Sequence, residues 1–547
     1  MADEQSIGDY IIHRLLEKGV GHVFGVPGDY VLGFFKKMSE SPIRVINTND
    51  EQGAGFAVDA YARVKGLGVA CVTYGVGGLK VVNTTAQAYA EKSPVLIISG
   101  APGMQERQQH PMLHHKVHTY EDQIKIFERL TVASAALTDP ERAFGEVDRV
   151  LSAVLAYKRP GYLELPRDMV NVVPSNCELH TPAEPVMFWD QGALREALAE
   201  SLALINRSSR PVIIAGVDVS RYGLQDPVLA LATGAGIPIA STILGKSAID
   251  ENNPLNMGIY AGAIGDERVR DYVESSDCII LIGVFLTDLE LGGYTAHLET
   301  RNMMHISGTE VRIGYHSYRC PGFELLKSLE RAQLRRHDEA RFPRAEKHEP
   351  LDWRSLPNEK ITAQRVFRII NSFLDENMVL IADVGDSLLG CTEVEIPGPN
   401  RFISPAYYAS LGFAVPASIG VKTAFPDLRP LVIVGDGSFQ MTGMEVSSAA
   451  RYNMNPIIVV LNNHGYGTER PMLDGPFNDV AVWNYSLIPG IIGTGRGFVI
   501  RTEEEFGKAL IDAGNYEGLS LLEVLLDPHD ISRELQRLTA SLGKNVK

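Results

Sequence analysis

The stretch LVIVGDGSFQMTGMEVSSAARYNMNPIIVVLNNHGYGTE, Leu431 to Glu469, decides the fold class. Two apolar runs, Leu431–Val434 and Ile457–Leu461, are short, rich in β-branched residues and bounded by Gly, Asp, Asn or Pro, as buried parallel strands are. Residues 435–456 between them carry a helical pattern and are long enough for the right-handed crossover that parallel neighbours require. Asp436 and Asn463 then fall just past the carboxyl ends of adjacent strands, where open α/β sheets bind ligands.

Those two side chains suit a hard cation. Mg²⁺ takes near-octahedral oxygen coordination, usually a few protein ligands completed by phosphate oxygens and water. Asp436 supplies a carboxylate and Asn463 an amide oxygen, and Gly435, Gly437, Gly443 and Gly465 let a phosphate approach the backbone closely. A GDG alone reads as readily as a turn whose Asp caps the next helix. The NN at the end of the matching strand favours the ligand reading.

GDG followed by NN at the next strand end resembles the thiamine diphosphate motif. The resemblance implies that Asp436, Asn463 and the backbone carbonyl of Gly465 hold Mg²⁺ against the diphosphate, with Gly435, Gly437 and Ser438 also contacting the cofactor.

A chain of 547 residues exceeds a single core and is expected to divide into about three domains. Its 51 basic and 67 acidic residues give a formal charge of −16, which argues against a nucleic-acid surface. No apolar run is long enough to span a membrane, and the opening MADEQSIGDY has neither a signal-peptide nor a mitochondrial-leader character, so a cytoplasmic protein is expected. Cys71, Cys177, Cys278, Cys320 and Cys391 are odd in number and form no CxxC, which reads as reduced and structural.

The α/β alternation recurs three times. A helix at Ile7–Lys18, strands at His22–Phe24 and Arg44–Asn47, a helix from about Asp50 to Val64, and strands at Gly68–Val72 and Pro94–Ser99 mark the first unit. The Pro-rich run VVPSNCELHTPAEPV reads as a linker. Strand candidates Pro211–Ala215, Pro238–Ala240, Cys278–Ile282 and Asn302–Ile306 mark a second unit, with no G-x-G-x-x-G to assign it a nucleotide. The charged run RAQLRRHDEARFPRAEKHEP reads as a solvated surface helix followed by a loop. The third unit contains the GDG…NN stretch. The expectation is three open, doubly wound, mainly parallel-sheet α/β domains: residues 1–180, 190–341 and 358–547.

That order resembles, over essentially the whole chain, the large thiamine diphosphate enzymes of the pyruvate decarboxylase type. The resemblance implies a first domain that binds the aminopyrimidine, a third that binds the diphosphate, and a cofactor held between domains of two subunits. A homodimer is then the minimum active unit, commonly paired into a homotetramer.

Glu51 opens a helix in NDEQGAGFAVDAYARV and alone would be an ordinary helix N-terminal acid. The resemblance makes it the carboxylate that hydrogen-bonds a ring nitrogen of the aminopyrimidine, which favours the imino form able to act as base at the thiazolium C2 proton. His114 and His115, in PMLHHKVHT downstream of YAEKSPVLIISGAP, are similar to the pair of pyruvate, indolepyruvate, phenylpyruvate and branched-chain 2-oxo acid decarboxylases. Asp29, in HVFGVPGDYVL, matches the Asp that faces the reacting carbon, although by itself it reads as a turn residue. Glu469, in NNHGYGTE, matches a Glu near the substrate carboxylate. Asp29, His114, His115 and Glu469 are expected to form one proton-relay cluster, because loss of carbon dioxide must be followed by protonation at carbon before an aldehyde departs. Leu411, in YYASLGFAVPASIG, matches the apolar residue that bends the cofactor. Two positions depart from the pattern: GVGGLK places Gly78 and Lys80 where many relatives have GVGEL followed by Ser. His118 matches nothing in the pattern.

The implied activity is non-oxidative decarboxylation of 2-oxo acids to aldehydes and carbon dioxide. A carboligase of the acetolactate synthase type, with flavin in the middle domain, and a non-catalytic scaffold retaining the fold are the alternatives. Leu388 in VGDSLLG, with Leu538 and Leu542 in ISRELQRLTASL, falls where relatives line the substrate pocket, often with Trp, Phe or Met. Leucine there implies a preference for longer, branched or aromatic 2-oxo acids over pyruvate, and the same residues read equally as core leucines.

Overall fold

The computed structural model describes residues 5–108, 110–175, 190–308, 310–337, 342–345, 349, 351–352 and 356–546, with side chains as far as residue 540. Three sheets carry the chain. The first comprises β1 (His22–Val26), β2 (Arg44–Asn47), β3 (Gly68–Val72), β4 (Val95–Ala101), β5 (Ala133–Ala136) and β6 (Gly161–Pro166), in the order β2-β1-β3-β4-β6-β5, all parallel. The second comprises β7 (Pro211–Ala215), β8 (Ile239–Ser241), β9 (Asn256–Ile259), β10 (Cys278–Ile282), β11 (Met303–Ile306), β12 (Val311–Ile313) and β13 (His316–Tyr318). Its order is β13-β12-β11-β10-β7-β8-β9, with the β11–β12 and β12–β13 pairings antiparallel and the others parallel. The third comprises β14 (Met378–Ala382), β15 (Phe402–Ile403), β16 (Arg429–Gly435), β17 (Ile457–Asn462), β18 (Arg496–Ile500) and β19 (Ser520–Leu525), all parallel in the order β15-β14-β16-β17-β19-β18. The first and third sheets thus share one winding.

The central strands β3, β4, β7, β10 and β17 are buried along their whole length, which explains why they read as unbroken apolar runs. Strands β5, β6, β9, β12, β13, β14, β15, β18 and β19 are not among those read from the sequence. Ala133–Ala136 is too small in side chain to stand out, and Val311–Ile313 and His316–Tyr318 are three residues each with polar positions facing out.

The chain gathers into two compact units, one of Met1–Val186 with Ser410–Asp427 and Gln440–Met454, the other of Met187–Ala409, Leu428–Phe439 and Asn455–Lys547. In the first, the Glu51–Lys65 helix packs along the Ala414–Ala424 helix so closely that a Cβ on Gly420 would lie 1.9 Å from the Ala57 carbonyl oxygen. Asp50 caps the Glu51–Lys65 helix by accepting from the Gln52 N–H, and Gly66, at φ 84°, ends it in the left-handed region. Arg63 on that helix is buried yet paired with both Asp59 and Glu91, each at 2.8 Å, so three desolvated charges satisfy one another.

Two expectations need correction. The helical pattern over 435–456 is a broken helix: Asp436–Thr442, a 3₁₀ turn at Gly443–Glu445, then Val446–Arg451. The charged run from Arg331 is not helical in any of its described residues; the preceding helix, Gly322–Glu330, ends where the run starts. Leu334 and Phe342 pack on the middle domain's core, and two apolar anchors eight positions apart do not supply a helical stripe. The linker VVPSNCELHTPAEPV lies mostly outside the described residues. Cys71, Cys278, Cys320 and Cys391 are buried free thiols, and Cys177 is not among the described residues.

Candidate functional site

In the second compact unit, β16 ends at Gly435 and β17 at Asn462, and the register pairs Gly435 with Leu461. Asp436 and Asn463 therefore leave adjacent parallel strands at their carboxyl ends. Asp436 is 1% exposed and Asn463 9%. The Asp436 carboxylate accepts from the N–H of Gly437 at 2.7 Å and of Gly465 at 3.1 Å, which brings the three sequence positions Asp436, Asn463 and Gly465 into one small loop pair. Burial pushes the Asp436 carboxyl up to about 6, opposed by these backbone donors and, more weakly, by the charge of His464. A buried carboxylate supported mainly by peptide N–H groups has the charge that a hard cation would compensate.

The glycines here are steric requirements. A Cβ on Gly437 would sit 2.7 Å from the Tyr466 ring, one on Gly465 2.3 Å from the Asn478 carbonyl oxygen, and one on Gly467 2.5 Å from Asn463 Nδ2. Gly435 meets nothing within 4 Å, so the backbone is open at that point. Ser438 is buried in the first turn of the helix that Asp436 opens. This set of oxygen donors, open backbone and uncompensated buried carboxylate fits a Mg²⁺-diphosphate group.

In the first unit, the candidate residues lie on loops that leave the carboxyl ends of β1, β2, β3, β4 and β6. The loop after β1 carries Asp29, and the His114–His115 pair meets it: His114 Nε2 lies 2.9 Å from Asp29 Oδ2, and the ligand atoms of Asp29, His114 and His115 all fall within 4.8 Å of one another. His115 adopts φ 67°, and its carbonyl oxygen would be 2.4 Å from a Cβ on Gly75. A left-handed residue pressed on a glycine turn fixes the ring's direction. The loop after β2 delivers Glu51, buried at the first position of its helix. Glu445 accepts from the Asn49 and Asp50 N–H groups, each at 3.1 Å, and so anchors the approach to Glu51.

Leu411 is half-buried in a turn between Ala409, at φ 57°, and Gly412, at φ 88°. The Ser410 hydroxyl accepts from Asn83 Nδ2 at 2.8 Å, and the Gly412 carbonyl accepts from the Thr442 hydroxyl, which pins the turn on both sides. Glu469 belongs to the second unit and is exposed. Leu388 and Leu538 are buried members of that unit's core, on the Asp386–Cys391 helix and the Arg533–Val546 helix, which pack together. Leu542 falls on the same carboxyl-terminal helix, with its side chain outside the described residues.

Several residues around the histidine pair escaped the sequence reading. Tyr30 stacks on the His114 ring, centroids 4.9 Å apart, and its hydroxyl donates to the His114 carbonyl at 3.1 Å. Arg167, just past β6, lies over Tyr30 and reaches within 3.5 Å of Asp29 while pairing with Glu106. Arg167 had a legible signal, since it stands at the carboxyl end of a parallel strand, but β6 itself was not recognised. His118 resolves as a turn residue, its N–H donating to Asp122 at 2.8 Å.

Three family models match the chain: the N-terminal TPP binding domain of thiamine pyrophosphate enzymes over residues 5–126, the central domain over 198–321 and the C-terminal TPP binding domain over 383–524. Among similar proteins, indole-3-pyruvate decarboxylase of Azospirillum brasilense is 36% identical over 541 residues, covering 97% of each chain. Alpha-keto-acid decarboxylase of Mycobacterium tuberculosis is 31% identical over 551 residues, 98% of this chain and 97% of that one. The namesake from Mycolicibacterium paratuberculosis is 31% identical over 545 residues, 97% and 96% respectively. With a buried Asp–Asn pair at two strand ends, a Glu at a third and matches that run almost end to end, the chain belongs to the thiamine diphosphate-dependent 2-oxo acid decarboxylase family.

Proposed function

We propose that the protein converts 2-oxo acids to aldehydes and carbon dioxide without net oxidation, using thiamine diphosphate and Mg²⁺. The observation that carries this reading is the contact of Asp29 with the His114–His115 pair in the unit that also presents Glu51. Asp436, Asn463 and the Gly465 carbonyl are the assigned metal ligands, with Gly435, Gly437 and Ser438 beside the diphosphate. The bound cofactor supplies an electron sink for the electrons that the departing carboxylate leaves behind.

The chain's own residues do the rest. Glu51 would hydrogen-bond the pyrimidine ring of the bound cofactor, and Leu411 would be the apolar residue packed against it. Asp29 and His114, already in hydrogen-bond contact, pass a proton between them, with His115 beside them and Glu469 assigned to the same relay. Tyr30 and Arg167 hold the Asp29–His114 pair in place by stacking and charge. Domain limits of 1–180, 190–341 and 358–547, a homodimer as the minimum active unit, assembly into a homotetramer and a cytoplasmic location complete the reading. No helix among the described residues is long and apolar enough to cross a membrane.

For substrate, we propose longer, branched or aromatic 2-oxo acids over pyruvate, with Leu388, Leu538 and Leu542 forming an aliphatic wall. The name of one relative, indole-3-pyruvate decarboxylase, fits a bulky apolar substrate. Each buried methylene contributes on the order of 0.8 kcal/mol, so two or three carbons give roughly tenfold discrimination or more. The test is aldehyde release from pyruvate, 2-oxoisovalerate, 2-oxoisocaproate, 2-oxooctanoate and phenylpyruvate, with and without cofactor and Mg²⁺, in wild type and Leu388→Trp. Pyruvate as best substrate, or an unchanged ranking in the variant, overturns the leucine wall. Absence of aldehyde from every substrate overturns the decarboxylase reading itself.

A further inference from the structure

The turn after β3 carries this chain's two departures from the family pattern, Gly78 and Lys80, and the structure accounts for both together. Gly75 takes φ 67°, and its N–H donates to Gln123 Oε1 at 2.7 Å. A Cβ on Gly78 would lie 2.4 Å from that same oxygen, so the Gln123 side chain occupies the space that a larger residue at 78 needs. Gln123 is itself fixed, donating to the Ser99 and Tyr162 hydroxyls at 2.8 and 2.7 Å. On the opposite side, a Cβ on Gly77 would sit 3.1 Å from Glu51 Oε1. The glycines thus thread the turn between Gln123 and Glu51, and the short Val76–Lys80 helix delivers Lys80 to the start of the Glu51–Lys65 helix.

There the Lys80 ammonium lies 2.5 Å from Asp50 Oδ2 and 3.2 Å from Glu51 Oε2. Asp50, which caps the helix, is the stronger partner and raises the lysine's proton affinity; Glu51 adds to it. The lysine is half exposed, as expected for a residue whose contribution to global stability is small. Its effect is local: among the described residues, the Lys80 cation ties down one oxygen of the buried Glu51 carboxylate, Oε2.

We infer that Lys80 is a positioning residue for Glu51, holding Oε2 so that Oε1 remains for the hydrogen bond to the cofactor's pyrimidine ring. The inference rests on the assignment of Glu51 as the pyrimidine-binding carboxylate. A lysine that fixes this carboxylate's rotamer limits the misalignment that costs rate in proton-transfer sites.

The test is a double-mutant cycle: Lys80→Met and Lys80→Arg, each in the wild-type and Glu51→Gln backgrounds. Two quantities are read, the cofactor dissociation constant by titration calorimetry in Mg²⁺ and the rate of C2 proton exchange into deuterated water without substrate. Lys80→Met is expected to weaken cofactor binding several-fold and slow exchange roughly tenfold in the wild-type background, with no further change in Glu51→Gln. Lys80→Arg is expected to restore both, and the melting temperature is expected to stay within a few degrees of wild type throughout. Equal losses from Lys80→Met in both backgrounds, or none in either while Glu51→Gln is impaired, overturn the role of Lys80 alone. Wild-type values for Glu51→Gln itself overturn the Glu51 assignment and the inference with it.

Discussion

The first and third sheets have the same strand order, yet the ends of their strands are furnished differently. Around the first sheet, carboxylates meet side-chain nitrogen groups: Asp29 stands by the His114 imidazole and Arg167, Glu51 by Lys80, and Glu106 by Arg167. At the third, Asp436 is buried and met by the peptide N–H groups of Gly437 and Gly465. One winding sets where loops converge, and the compensation of charge decides what each convergence does. Built-in nitrogen groups beside carboxylates suit a place where protons can be held and moved. A buried carboxylate among backbone donors suits a site where a metal would bring the positive charge.

The sharpest way to break this comparison is Asp436→Ala. Loss of an anionic ligand is expected to weaken Mg²⁺-dependent cofactor binding by about a hundredfold or more, with the circular dichroism of the fold unchanged. Retention of cofactor through gel filtration in chelator would show that the third sheet does not hold the metal.

Within the first sheet, Glu51→Gln and His114→Asn should separate two proton steps. Glu51→Gln is expected to keep most of the cofactor affinity and slow C2 exchange by roughly a hundredfold, since an amide preserves the position and not the charge. His114→Asn is expected to leave C2 exchange near wild type and to lower aldehyde release by a similar factor of about a hundred. If both variants lose the same step, the strand-end loops act as one group.

The smallest expected effect concerns buried carboxyls away from either site. In the first unit Asp59 and Glu91 share Arg63, whereas in the second Glu534, on the carboxyl-terminal helix and 3% exposed, faces Glu393. Burial, reinforced by Glu393, pushes the Glu534 carboxyl up to about 8 from an ordinary 4.5; Arg537, 4.0 Å away, opposes this weakly. Between those values the native chain holds a proton that the unfolded chain has released. Stability is therefore expected to fall as pH rises through that window and to level off above it. Glu534→Gln should flatten the slope and raise the melting temperature at pH 8 by a few °C. Identical pH–melting curves for variant and wild type would show that this carboxyl is compensated after all.

Most of the strands that a linear reading finds are buried along most of their length. His22–Val26, Gly68–Val72, Cys278–Ile282 and Ile457–Asn462 differ from expectation by two residues or fewer at any end, because burial demands continuous apolar side chains. Strand-end loops follow directly, and so do Asp436, Asn463 and Glu51. Among the missed strands, Ala133–Ala136 carries small residues whose apolarity is not distinctive, whereas Gly161–Pro166 and Ser520–Leu525 are apolar runs interrupted by Glu164 and Glu523. Leu388 and Leu538 show the converse limit: a buried leucine of the core and a pocket-facing one have the same pattern along the chain.

The sequence by itself determined the three α/β units and the strand ends that carry Asp436, Asn463 and Glu51, which depend on local side-chain chemistry repeated at strand or helix period, whereas the link between the HH pair and the upstream PGD came from the resemblance to the decarboxylase family. Only the tertiary structure decided that Tyr30 stacks on His114, that Arg167 reaches Asp29 and that Lys80 ties down Glu51 Oε2. Only it grouped the Ala414–Ala424 helix with the first compact unit. Those are contacts between residues far apart in the chain, set by which strand ends lie side by side and where a missing Cβ lets a turn pass, and no local periodicity encodes them.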